Sequence, residues 1–319
     1  MNKTQDINKF YTYLDEGTKL FIRRYDKTYI SALIEVLNSL LDNDIKPDYE
    51  DIKDQIMALK KDITGIQFDK ETIRKSIQLA LLTGFKHDHI TNAQMTPDSI
   101  GIFISYLIKK LPMSKDKARV LDPLVGTANL VASIANHNDM KMNIHGIDDD
   151  QEMCLIARNM LDALDIEGQI FHQDTLTFTA SKYDLIITDF PPKNVTLKTG
   201  YLPYYTISHH LDHLAEDCFF IALIENDFFD QASHQTFQEI LHEKAHMYGL
   251  IKLDDSLFKT HPKSIFILRK KRNPKDKIND FLLVDLPSFT DQEAFNKAID
   301  KMDKWFNKNK EKNNENYCS

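Results

Sequence analysis

Residues 119–131, R-V-L-D-P-L-V-G-T-A-N-L-V, constrain the fold of this chain more than any other stretch. An apolar run over 118–121 leads into a small-residue turn at 122–128 holding one glycine, Gly126, and a helix opens near Asn129. A strand that runs through such a turn into a helix aims backbone N–H groups and the positive end of the helix dipole at one point in space. A nucleotide-like or carboxylate-bearing ligand is stabilised there. The segment therefore outlines a cofactor pocket and predicts an α/β fold.

The next apolar run, N-I-H-G-I-D over 143–148, ends in Asp148, Asp149 and Asp150. A carboxylate at the tip of the second strand, some 20 residues past the glycine turn, accepts hydrogen bonds from ribose hydroxyls. Asp148 lies 22 residues after Gly126. The turn lacks the second and third glycines with which dinucleotide sites bring backbone against a pyrophosphate, so a cofactor with a ribose and no phosphate fits better. Asp149 and Asp150 read as helix-capping carboxylates.

Strands alternate with helices from Ala118 onward, which predicts a mainly parallel sheet covered on both faces. We place strands near 118–122, 143–148, 169–173, 183–189, 219–225, 247–253 and 264–270, and helices near 98–110, 129–137, 150–164, 206–216 and 234–245. No helix-length segment separates the last two strands, which read as an antiparallel pair. Before this core, apolar residues recur at spacings of three and four over 29–41 and 73–82, predicting a helical N-terminal domain with a loop at 43–48. Its task is oligomerisation, partner binding, or covering one edge of the cofactor site. After the core, K-R-N-P-K-D-K (271–277) breaks structure, and a short strand (281–285) and a helix (291–307) precede a polar tail expected to be disordered. The division is 1–95 for the helical domain, 96–272 for the core and 273–319 for the extension.

Three further segments complete a resemblance. D-P-L-V-G-T-A-N-L, G-I-D-D-D, H-Q-D-T-L and Y-D-L-I-I-T-D-F-P-P are similar to motifs I to IV of class I S-adenosylmethionine-dependent methyltransferases. Q-M-T-P-D-S-I (94–100) resembles the segment that precedes the core in amino-methylating, adenine-specific DNA methyltransferases. The likeness spans roughly residues 75–271 and extends to small bacterial proteins similar to the modification subunit of type I restriction systems. It implies a Rossmann-like methyltransferase fold, a seven-stranded mainly parallel sheet with an antiparallel last pair, and S-adenosyl-L-methionine as cofactor. The implied cofactor residues are Thr96, Asp122, Gly126, Thr127, Asn129, Asp148 and Asp174. Thr96 reads as the cap of the helix that Pro97 opens, and the resemblance gives it a second, compatible role in contacting the methionine carboxylate. Asp122 meets the cofactor ammonium, Thr127 and the amides near Asn129 receive its carboxylate, Asp148 holds the ribose, and Asp174 faces the adenine amino group. Ala128 stands where the family has a second glycine.

Motif IV departs further. The family carries Asn or Asp, two prolines and an aromatic residue. The acidic or amide side chain and a following carbonyl accept hydrogen bonds from the target amine, and the ring stacks on a flipped base. Here Asp189 matches the acceptor, Phe190 replaces the first proline, Pro191 matches the second, and Pro192 stands in the place of the ring. The catalytic positions are thus Asp189, Pro191 and Pro192. A missing stacking ring forfeits about 1–3 kcal/mol of base binding. Tyr201, Tyr204 and Tyr205 are either a substitute ring or loop anchors. The expected activity is methyl transfer to an amine, with adenine N6 in nucleic acid as the implied substrate. The rival readings are a catalytically degenerate cofactor-binding or interaction protein, and a methyltransferase acting on a protein or small molecule.

Charge bears on partners. Residues 1–95, 96–272 and 273–319 carry net charges of −1, −6 and −1, so the acidic excess lies in the core. Nucleic-acid binders usually show a basic footprint. The two basic clusters, Lys109, Lys110, Lys115 and Lys117, and Arg269, Lys270, Lys271 and Arg272, read as solvated element ends. With no segment long enough for target recognition after the core, nucleic-acid binding is expected to be weak unless a partner protein supplies specificity. Three scattered cysteines make neither a disulfide framework nor a zinc site, and Cys154 and Cys218 read as small core hydrophobes. His209, His210 and His213 sit at spacings of three and four, with a solvated or partly buried helix face favoured over a metal site. No apolar run is long enough to span a membrane and no signal segment opens the chain, so a cytoplasmic location is expected.

Overall fold

A computed structural model describes residues 3–91, 95–113, 116–192, 200–258, 260–273, 275–278 and 280–315. Gln94 and Lys115, which the sequence reading touched, lie outside the described residues. Eight strands form one sheet in the order β3-β2-β1-β4-β5-β7-β6-β8. In chain order they are β1 (Lys117–Asp122), β2 (Lys141–Asp148), β3 (Gly168–His172), β4 (Tyr183–Asp189), β5 (Leu214–Glu225), β6 (Ala245–Lys252), β7 (Lys263–Lys270) and β8 (Leu282–Asp285). β1 to β5 run parallel, and β7 inserts antiparallel between β5 and β6. The short strand predicted after the core is part of the sheet: β8 pairs in parallel with β6, which makes eight strands where seven were expected.

Five helices precede or open the core: α1 (Lys3–Tyr25), α2 (Tyr29–Leu41), α3 (Lys53–Lys61), α4 (Lys70–His87) and α5 (Asp98–Lys110). The predicted loop at 43–48 gives way to a 3-10 turn at Pro47–Ile52, which the proline can open because it needs no N–H there. Local chemistry sets the boundaries of α2 and α4. Thr28 accepts the Ser31 N–H and Asp69 the Thr72 N–H, each satisfying an otherwise orphaned amide at a helix start. Gly84 lets α4 close on α2. A Cβ there would lie 2.6 and 2.7 Å from the Ile30 and Tyr29 side chains. These helices share one apolar core with the sheet through α6 (Asn129–Asn136) and α7 (Gln151–Ala163), so the N-terminal segment is packed onto the core rather than hung beside it.

Two departures from the sequence reading matter for the site. The helix expected at 206–216 is α8 (Leu202–His210), begun by Pro203 in its first turn and cut short because β5 starts at Leu214. Beyond α9 (His234–Lys244), the last helix, α10 (Gln292–Glu315), continues through most of the tail expected to lack structure. Among the described residues no helix is long and apolar enough to cross a membrane. Cys154 is buried and Cys218 half-buried. Described members of the basic clusters pair with neighbouring acids: Lys109 with Asp139, Lys110 with Asp303, Lys117 with Glu167, and Arg269 and Arg272 with Asp217.

Candidate active site

Strand order reverses between β1 and β4, each parallel to its neighbour, and open α/β sheets bind ligands at the carboxyl ends flanking such a point. Asp122 ends β1 and Asp189 ends β4. Both line a recess of about 40 Å³ together with Thr96, Gly126, Thr127 and Asn129. Six residues drawn from three separated stretches of sequence thus meet in one place. A much larger surface hollow, about 1090 Å³, lies at the opposite ends of the strands around Lys117 and Lys141, away from every cofactor and catalytic position expected from the sequence.

Gly126 adopts φ +50°, and a Cβ there would meet nothing within 4 Å, so the turn opens outward. Its N–H donates to Asp148 Oδ2 at 2.9 Å, while the Asp150 N–H donates to Oδ1 of the same carboxylate at 2.9 Å. Asp148 therefore ties the glycine turn of β1 to the tip of β2. Burial raises its pKa. Ala128 takes φ +60°, the left-handed conformation, in the place of the family's second glycine. A non-glycine residue pays roughly 1–2 kcal/mol there. Asp150 caps α7 by accepting from Glu152 and Met153, as expected. Asp174 is exposed, and its Oδ1 accepts the Leu176 N–H at 2.8 Å, capping a short 3-10 turn outside the recess.

Asp122 is 2% exposed. Its Oδ1 accepts the Leu124 N–H at 3.1 Å, and no ion-pair partner faces it among the described residues. Burial, aided by the nearby carboxylates Asp189 and Asp148, pushes its pKa up to about 7. A buried carboxyl without a counter-ion holds on to its proton, and a cation brought beside it would favour the ionised form.

Thr96 does not cap α5, since Pro97 occupies that position and carries no side-chain cap bond. Its hydroxyl instead donates to Asp189 Oδ2 at 2.6 Å. Its carbonyl accepts from Asn129 Nδ2 at 3.4 Å, and Asn129 Oδ1 accepts from Arg74 Nη1 at 2.6 Å. Arg74, on α4, is fully buried and held by Glu71 at 2.6 Å and Asp98 at 3.0 Å. Lys263, at the start of β7 and 3% exposed, pairs with Asp189 Oδ1 and also donates to the Phe190 carbonyl at 2.7 Å. A continuous chain of polar contacts thus runs from Arg74 through Asn129 and Thr96 to Asp189 and Lys263.

Neither Arg74 nor Lys263 was picked out from sequence. Phe190, in the place of the first proline, is 2% exposed and part of the core. Pro191 is half-buried and Pro192 buried. Tyr204 is an anchor: its ring stacks on Phe237 at 4.3 Å and its hydroxyl donates to the Phe228 carbonyl. Tyr201 packs edge-on against Tyr204, which leaves Tyr205, 45% exposed, as the surface ring of the three.

His209, His210 and His213 do converge, with one ring nitrogen from each within 4.8 Å of the others. His209 Nε2 is 2.8 Å from the Phe178 carbonyl and His210 Nε2 2.8 Å from Thr175 Oγ1. Burial drives the His210 pKa down to about 3, so its imidazole is neutral.

Comparison with known proteins agrees with this architecture. The family pattern for N-6 DNA methylase matches residues 91–319. The chain belongs to the N-6 DNA methylase family. Residues 8–85 match the pattern of the YtxK N-terminal helical domain. The protein recorded as "Uncharacterized protein YtxK" from Bacillus subtilis (strain 168) is 29% identical over 95% of this chain and 98% of its own length. A Listeria monocytogenes protein assigned to the class I S-adenosylmethionine-dependent methyltransferases superposes with TM-score 0.85 at 26% identity, over 95% of this chain and 99% of that one. The modification subunit assigned to a type I restriction enzyme of Vibrio vulnificus YJ016 shares the fold, with TM-score 0.55 and 15% identity over 73% of this chain and 57% of that one. This N-6 DNA methylase family member therefore has the Rossmann-like methyltransferase fold that its motifs imply.

Proposed function

We propose that this chain binds S-adenosylmethionine at the carboxyl ends of β1, β2 and β4 and directs its methyl group to an amine, with adenine N6 in nucleic acid as the substrate class. The observation that carries the reading is the shared recess, in which the buried carboxylate of Asp122 and the acceptor carboxylate of Asp189 line one small space. Asp122 fits the cofactor's α-ammonium, because it is a buried carboxyl whose ionised form a cation would favour. Thr127 and the amides opening α6 receive the cofactor carboxylate at a positive helix end. The recess admits only the amino-acid end, so the ribose lies outward toward Asp148 and the base toward Asp174.

When bound, the cofactor supplies an electrophilic methyl group. Asp189 Oδ1 and the Phe190 carbonyl are then the two acceptors that hold an incoming amine and point its lone pair. No general base of unusual pKa is required, since alignment supplies most of the rate. Binding to nucleic acid is weak without a partner that brings specificity. A second reading, a cofactor-binding protein that does not transfer, is favoured by Pro192 in the place of the stacking ring.

Incubation with tritium-labelled S-adenosylmethionine and DNA, RNA or whole-cell lysate tests the reading. Label in adenine that disappears in Asp189→Ala supports it. Saturable cofactor binding with no transfer to any pool establishes the second reading instead, and transfer that survives Asp189→Ala removes Asp189 from the chemistry.

A further inference from the structure

We infer that Lys263 is a built-in occupant of the amine cradle, held where the target amine would sit and excluding it until its side chain is withdrawn. The inference rests on the proposed role of Asp189 as amine acceptor. An exocyclic amine presents two hydrogens to two acceptors, a motif IV side-chain oxygen and the carbonyl that follows it. Lys263 Nζ donates to those same two groups, Asp189 Oδ1 and the Phe190 carbonyl. The other carboxylate oxygen is taken by the Thr96 hydroxyl at 2.6 Å. The cradle is thus filled from within the chain.

Energetics favour the occupant. Lysine brings a full charge to a carboxylate in a site where its side chain is 3% exposed, and charge-assisted hydrogen bonds are roughly twice as strong as those of a neutral amine. Adenine N6 is neutral and must displace an ammonium from its counter-ion. The lysine backbone is fixed: Lys263 pairs with Glu225 in the β5–β7 register, and its carbonyl accepts the Leu253 N–H at 3.2 Å. Only the side chain can leave. The Phe258 ring, with its centroid 5.5 Å from the ammonium, offers an aromatic face. As an ammonium paired with Asp189, the lysine has no lone pair with which to accept a methyl group, so it acts as competitor rather than substrate.

Lys263→Met keeps the length of the side chain and removes the donor. Because it leaves Asp189 without a counter-ion, the same substitution is also made with Asp189→Asn, which restores a neutral acceptor of the kind the family uses. Full-length chains are saturated with S-adenosylhomocysteine and titrated with adenosine, and methyl transfer to a single-stranded adenine-containing oligonucleotide is measured in parallel with S-adenosylmethionine. We expect adenosine affinity and transfer rate to rise at least tenfold in one or both variants, with cofactor affinity unchanged. Folded variants that bind cofactor normally and gain in neither measurement overturn the inference while leaving the cofactor reading intact. A 14 Da increment on the Lys263 peptide of the unaltered chain also overturns it, by making the lysine a substrate. Absence of cofactor binding in every form contradicts the underlying reading instead.

Discussion

Arg74 Nη1 lies 2.6 Å from Asn129 Oδ1, so a side chain of the N-terminal helices holds the first residue of the helix that closes the cofactor turn. This contact brings the helical segment to the edge of the recess. Arg74 is fully buried, with Glu71, Asp98 and Asn129 sharing its donors. Burial of one ion is tolerable only while its partners remain.

Arg74→Met should therefore leave Glu71 and Asp98 with only the longer ion-pair contacts to Lys75, at 3.8 and 3.9 Å, and free Asn129 Oδ1. We expect a loss of about 3–5 kcal/mol of stability, measured by urea denaturation. Cofactor affinity should fall as well at temperatures where the variant is folded, since Asn129 then no longer ties Thr96 to the turn. A variant as stable as the parent that binds cofactor equally well contradicts the positioning role.

Asp122 gives a pH signature. Its pKa in the folded chain, about 7, stands above that of an unfolded aspartate, so the folded state holds a proton that the unfolded state releases. Its contribution to stability is full below the unfolded value near 4, declines as pH rises toward about 7, and is constant above. Asp122→Asn should consequently raise the melting temperature of the cofactor-free chain at pH 8 and have little effect at pH 4, read by calorimetry. Cofactor binding below pH 7 should release a proton, because an ammonium favours the ionised carboxyl. A melting temperature lowered at pH 8 by Asp122→Asn contradicts the assignment.

Duplex DNA should bind weakly and be lost at moderate salt. The core carries −6, and the described members of both basic clusters face acidic partners or carbonyls within the chain. Few cations of these two clusters remain to release counter-ions from phosphates. Fluorescence anisotropy with labelled duplex at about 0.15 M salt should give no saturation below micromolar protein. A sub-micromolar dissociation constant shows a basic face that the charge distribution conceals.

Much of this was legible where local physics decides. The three-and-four spacing over 29–41 and the apolar face of 98–110 gave α2 and α5 to the residue, and the glycine turn with its acid 22 residues on located the recess. What escaped depends on long-range pairing. Arg74 looks like a surface charge, although it lies three and seven residues before the buried Ile77 and Leu81 and three after Glu71. A charge on an apolar stripe beside an acid was the available signal. Lys263 opens a strand buried along nearly its whole length, and no periodicity reveals that its ammonium turns back to β4. The histidine helix was displaced because its start is set by Pro203 and its end by β5, whose first residues are too polar to read as a strand. β8 was recognised as a strand, but its pairing with β6 is not encoded in its own four residues.

The most direct test is calorimetric titration of S-adenosylmethionine into the full-length chain and into Asp148→Ala. Asp148 anchors the Gly126 amide and is proposed to hold the ribose, so its loss removes a charged acceptor from both. The account predicts saturable binding at one site, weakened in Asp148→Ala by more than the roughly 1 kcal/mol of a neutral hydrogen bond, or about fivefold. No binding by the unaltered chain, or equal affinity in a folded Asp148→Ala chain, contradicts it.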